Sequence, residues 1–204
     1  MPAQSLQTDA FVLLKRPPAD AFQSLTVFSA EQGTLLVMQR ITKKTSTGIS
    51  LDLFDEASLF LETSNQGRTW FLKEAQLLTR HAELGKSYDT LRLASRLATL
   101  ISRNPVHEES RPAVAELLRS ALAAFATDPR PDIVYFKSLY RFARDEGYPL
   151  KQQWFPTLPA TDRADVVTLL NRPLAEQTAT TAAVLRLERR LEEYLGGHTE
   201  ILVD

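Results

Sequence analysis

The sequence predicts an α+β protein: a five-stranded β-barrel domain over residues 1–80, followed by an all-α helical domain over residues 81–204. Three observations lead there. Up to Leu78, apolar residues alternate or run in short β-branched and aromatic stretches broken by Pro and Gly. From "SYDTLRLASRLATL" onward they recur at helical spacing. The two patterns do not interleave, which is the order of a segregated α+β chain and not of an alternating α/β sheet.

The first strand is "DAFVLLK", which stops before Pro17-Pro18 because a central strand cannot carry them. "SLTVFS" alternates around Leu25 and Val27 and reaches Phe28, and "EQG" is a turn closed by Gly33. "TLLVMQRI" is the third strand. The loop "RITKKTSTG", Arg40 to Gly48, leads to "LDLFDEASLFLET", read as one long strand with a bulge or bend at "DEA". "SNQG" is a second hairpin turn, and "RTWFLKEAQLL" is the fifth strand. Five short antiparallel strands left as an open sheet would expose two edges. Closure removes them, and the OB-fold is the commonest small architecture with this strand count.

Beyond Leu78 to Ser87 the reading is helical. In "SYDTLRLASRLATLISRN", Ser87 is the expected N-cap, and Tyr88, Leu91, Ala94, Leu97, Ala98 and Ile101 share a face. "RPAVAELLRSALAAFA" carries the stripe Val114, Leu117, Leu118, Ala121, Leu122 and Phe125. The third helix is expected over Pro129 to Arg144, with Asp128 as N-cap and Gly147 as its stop. "TDRADVVTLLN" is a short helix ended by Pro173, and a last helix bearing Val184, Leu187, Leu191 and Tyr194 ends at Gly196-Gly197.

Composition narrows the chemistry. With 24 Lys and Arg against 25 Asp and Glu, the net charge is −1, so any polyanion site is a local patch. The absence of cysteine excludes disulfides and thiolate zinc sites, and His81, His107 and His198 are too scattered to pair as ligands. No metal or cofactor is expected. No apolar run approaches the ~20 residues of a membrane span, and the N-terminus lacks the basic region of a signal peptide, so a cytoplasmic location is expected. There is no GxGxxG, GxxxxGK, GxSxG or HExxH. The adjacent acids Asp55-Glu56, Glu108-Glu109 and Glu192-Glu193 read as solvated charges, and no catalytic site is expected.

Binding chemistry remains. In the strand half the candidate nucleic-acid contacts are Lys15, Arg16, Arg40, Lys43, Lys44 and Arg68, with Trp70 the best base-stacking aromatic. Two readings stand: a phosphate-tracking groove, or solvated loops around a core tryptophan. In the helical half, Lys137, Arg141 and Arg144 lie at i, i+4 and i+7 beside Phe136 and Tyr140. They read either as an ordinary solvated face or as the cationic rim of a groove for an acidic, hydrophobic peptide. Arg186, Arg189 and Arg190 form a second basic face diluted by Glu192 and Glu193.

In this order and spacing the segments resemble the bacterial recombination mediator RecO along nearly the whole chain. "DAFVLLKRPPADAFQSLTVFSAEQGTLLVMQR" is similar to that family's opening, with its E-x-G-x-L turn at Glu31, Gly33 and Leu35. The quoted loop falls where RecO proteins carry a basic hairpin. "EAQLL", Glu74 to Leu78, resembles the end of their fifth strand, and Gly147, Tyr148 and Pro149 resemble a signal closing a helix. The resemblance implies an OB-fold joined to a helical bundle, with roles in DNA repair at the nucleoid. It implies binding of single- and double-stranded DNA, annealing, recombinase loading with RecR, and contact with the C-terminal tail of single-strand binding protein. The cysteine zinc module of many RecO proteins has no counterpart in "LKQQWFPTLPATDRADVV", and the end "GGHTEILVD" is acidic where the family often ends basic. A protein-interaction adaptor of the same fold, with weak or lost DNA binding, is the alternative.

Overall fold

A computed structural model describes residues 4–41, 50–63 and 69–203. Five strands, β1 (Gln4–Lys15), β2 (Phe22–Ser29), β3 (Gly33–Arg40), β4 (Glu56–Thr63) and β5 (Trp70–Thr79), precede six α-helices among the described residues. The α+β order is as the sequence predicts. The chain divides into two compact units, Met1–His81 with Ile101–Ala115, and Ala82–Leu100 with Glu116–Asp204.

The strands close in the order β1-β2-β3-β5-β4, with β4 returning to β1. The expectation of antiparallel strands throughout fails at one pairing: β3 and β5 run parallel through Val37↔Trp70 and Met38↔Phe71, because β4 intervenes between them in the chain, while all other pairings are antiparallel. This is a closed five-stranded barrel of the expected OB type, its ring completed by the short β3–β5 pairing. Ala10, Val12, Leu25, Val27, Val37 and Leu59 fill its interior. Phe11 and Leu13, on the other face of β1, are buried too, so this strand reads as a continuous apolar run and not as an alternation. Gly33 ends the β2–β3 turn at φ +72, where a side chain would be strained. The Ser29 hydroxyl supports that turn, accepting from the N–H of Glu31 at 3.2 Å and of Gln32 at 3.4 Å.

Two local expectations change. The long fourth strand begins only at Glu56, because residues 51–55 form a turn with Phe54 at φ 67. Asp55 and Glu56 are buried, at 0% and 6% exposure, instead of solvated. The Asp55 carboxylate accepts from the Asp52 N–H at 2.7 Å and from Arg80 Nε at 2.9 Å. A buried carboxylate needs such donors, and it draws the chain out of the ladder to reach them.

The helices are α1 (Tyr88–Arg103), α2 (Arg111–Thr127), α3 (Pro131–Asp145), the single turn α4 (Leu150–Gln153), α5 (Ala160–Asn171) and α6 (Thr181–His198). Ser87 caps α1, its hydroxyl accepting from the Thr90 N–H at 3.4 Å. Tyr88 and Leu91 are exposed, and the buried face of α1 is Leu93, Ala94, Leu97, Ala98, Leu100 and Ile101. The α2 stripe is buried throughout. Helix α3 starts two residues late, since Asp128 accepts from the Arg130 N–H at 2.8 Å in a turn and Pro131 takes the first-turn position. It ends at Gly147, φ +88, where the Tyr148 N–H donates to Ala143 and the Gly147 N–H to Arg144, a Schellman motif. Helix α6 runs through Gly196-Gly197 to His198. Among the described residues no helix is long and apolar enough to cross a membrane.

Candidate functional site

The helical unit contains a groove of about 820 Å³ walled by α2, α3, the turn after α3, α4 and the end of α5. That volume lies in the range of ligand sites, roughly 300–1,000 Å³. The sequence makes room for it. On α2 the wall is Leu117, Ser120, Ala121 and Ala124, mostly small side chains that leave space in front of α3. The left-handed Gly147 then turns the chain sharply, so that Tyr148, Pro149 and Leu150 close one end.

Four cations line the groove, Lys137, Arg141, Arg144 and Lys151, and no carboxylate does. The Lys137 ammonium donates to the Arg172 carbonyl at 2.8 Å, and burial holds its pKa below the ordinary lysine value. Arg141 Nε lies 3.4 Å from Asp145 Oδ2, and Arg144 donates to Asp145 Oδ1 through Nε at 2.8 Å and Nη2 at 2.6 Å. Lys151 is exposed, with no ion-pair partner among the described residues. Tyr140 lies half-buried with its ring 6.1 Å from that of Trp154, and burial raises its pKa against the opposing charge of Arg144, so the hydroxyl stays a donor.

The structure therefore brings together Lys137, Tyr140, Arg141 and Arg144 of the expected peptide rim. Phe136 is fully buried in the core and is not part of the wall. Sequence reasoning missed Lys151 and Tyr148, and the signal for both was the turn itself, since residues after a Gly-ended helix fold back beside it. Arg186 and Arg190 do not make a second patch. They pair with Asp162 of α5, joining α5 to α6.

In the barrel unit the ends of β1 and β3 share a rim with the start of β2, through Lys15↔Leu25 and Phe22↔Arg40. Lys15 is engaged there, donating to the Leu51 carbonyl at 3.0 Å and to Asp52 at 3.3 Å. Arg16 and Arg40 are exposed without a carboxylate partner among the described residues. Trp70 is half-buried and packs against the barrel core, while the neighbouring Phe71 meets Phe22 edge-on at 5.7 Å. Lys43, Lys44 and Arg68 lie outside the described residues. Among the described residues no three His, Asp or Glu side chains converge as metal ligands would. The chain matches no protein-family model and no curated protein.

Proposed function

We propose that this protein is a non-catalytic, RecO-like recombination mediator. Its helical groove captures an acidic, apolar peptide tail, and its barrel holds single- or double-stranded DNA by the phosphates. The resemblance to RecO names the C-terminal tail of single-strand binding protein as the occupant, and RecR as a further partner. The observation that carries the reading is the groove lining of four cations and no carboxylate, in a chain of net charge −1, around an apolar floor. A strand or helical turn of peptide can bury its apolar side chains there while its carboxylates meet the rim. Calorimetric titration with a short peptide of aspartates and apolar residues tests it. Arg141→Glu should weaken binding about tenfold or more, since it removes one attraction and adds a repulsion, with circular dichroism unchanged. Equal affinity of the variant removes the groove from the function.

One observation favours the adaptor reading for the barrel. Lys15, Lys73 and Arg80 are each matched by a carboxylate, Asp52, Glu62 and Asp55. If salt-dependent binding of labelled single-stranded DNA is absent while the peptide still binds, the protein is an adaptor and not a mediator.

A further inference from the structure

Strand β5 begins Trp70-Phe71, and strand alternation sends the two rings to opposite faces. Trp70 joins Leu72 and Ala75 against the barrel core, so Phe71 faces outward, where it meets Phe22 edge-on at 5.7 Å. The same outer surface carries Met38, which lies opposite Phe71 on one side and Ser24 on the other, and Leu36, 43% exposed. Phe22 and Phe71 are half-buried. An edge-on pair occupies one face of one ring, and among the described residues no other ring stacks on either. Cations flank this patch. Arg40 is the cross-strand partner of Phe22, and the Arg16 N–H donates to the Ser24 carbonyl at 3.0 Å. Both arginine side chains are exposed. Glu62, opposite Phe71, is engaged by Lys73 at 3.0 Å, and Asp20 in the turn before β2 leaves the balance with the two arginines.

We propose that Phe71 and Phe22 form a base-stacking platform for single-stranded DNA, with Arg40 and Arg16 on the flanking phosphates. The inference rests on the barrel binding DNA, and it moves the stacking role from Trp70 to its neighbour. Aromatic faces beside guanidinium groups suit a strand with unpaired bases, because each nucleotide brings a π-face and a charge. A duplex offers the phosphates but keeps its bases stacked inside, so only the arginines engage it. An apolar protein segment would meet the rings but gain nothing from the two guanidinium groups. The platform therefore gives the barrel a preference for single over double strands. It gives little preference among sequences, since every base has a π-face.

Three labelled probes test it by anisotropy: an oligothymidylate, an abasic strand with the same number of phosphates, and a duplex. The parent should bind the oligothymidylate about fivefold or more tightly than the abasic strand, the scale of one lost stack. Phe71→Leu keeps apolar bulk but removes the ring. It should lose most of that discrimination, bind the abasic strand and the duplex as the parent does, and keep the parent's salt slope, because no phosphate contact is lost. Phe71→Tyr keeps a ring and should keep the discrimination. Equal binding of the oligothymidylate and the abasic strand by the parent overturns the inference and leaves binding to the phosphates alone. So does a Phe71→Leu variant that weakens all three probes together, since that is a structural role. If the parent binds none of the three, the DNA reading itself fails and takes the platform with it, which is a different result from equal binding.

Discussion

Lys137 is held between two demands. Its ammonium donates to the Arg172 carbonyl, yet burial disfavours its charge and lowers its pKa from 10.5. The sign for stability follows from proton counting. Where the folded pKa is the lower one, the folded state holds fewer protons than the unfolded state. Its stability therefore rises with pH from the lowered value up to the ordinary one. An anionic ligand acts in the opposite direction, favouring the ammonium and lifting the pKa again. Peptide binding should therefore take up protons just below pH 10.5 and none near neutrality, and its affinity should fall as pH rises through that window. Calorimetry in two buffers of different ionisation enthalpy reads the uptake directly. Lys137→Met should abolish it, and persistence of the uptake in that variant would assign it elsewhere.

At the scale of elements, one arginine ties three helices. Arg96 of α1 pairs with Glu188 and Glu192 of α6 and lies 4.5 Å from the ring centroid of Tyr135 on α3. The Glu188 side chain is only 6% exposed, and its Oε2 has no hydrogen-bond partner. Arg96→Met leaves that carboxylate buried and uncompensated, at an expected cost of about 3 kcal/mol in urea unfolding. Adding Glu188→Leu should recover most of it, because a well-packed apolar pair is no worse than a buried ion pair. If the double variant is no more stable than the single one, the ion pair is not what joins these helices. Such a tie was not legible in the sequence, since no local spacing connects Arg96 with Glu188, 92 positions away. The succession of five strands, the α2 stripe, the Ser87 cap and the Gly147 stop were legible because each depends on local spacing. The groove cations on α3 were legible too, being one helix face. What escaped were features set by distant partners: the turn around Asp55 that Arg80 stabilises, the exclusion of Phe136 from the groove wall, and the addition of Tyr148 and Lys151 to the groove after the chain reverses.

At the scale of the whole molecule, charge decides how DNA can be held. A chain of net charge −1 has no general field to attract a polyanion, so affinity must come from counted contacts. In the barrel unit the Lys15, Lys73 and Arg80 side chains already face carboxylates. The remaining candidates are Arg16 and Arg40 on the rim, with Lys43, Lys44 and Arg68. Loop cations among Thr, Ser and Gly suit phosphates better than base edges, so sequence preference should be weak. Four or five such contacts on a single strand give a slope of log K against log salt of roughly −3. Replacing Lys43 and Lys44 together by Ala should flatten the slope by about 1 to 1.5, because two fewer phosphates release counterions. Thermal stability should change by less than about 0.5 kcal/mol, as expected for surface loop charges. Lys15→Ala, by contrast, should leave the slope nearly unchanged, because its ammonium is engaged by Leu51 and Asp52. Anisotropy of a labelled oligonucleotide across a salt series measures all three proteins. A parent slope near zero would take DNA out of the function and leave the helical groove as the working surface. A parent slope near −3 that the lysine pair does not alter would move the phosphate path away from Lys43 and Lys44 and onto cations outside this set, since Arg16, Arg40 and Arg68 alone account for a slope of only about −2.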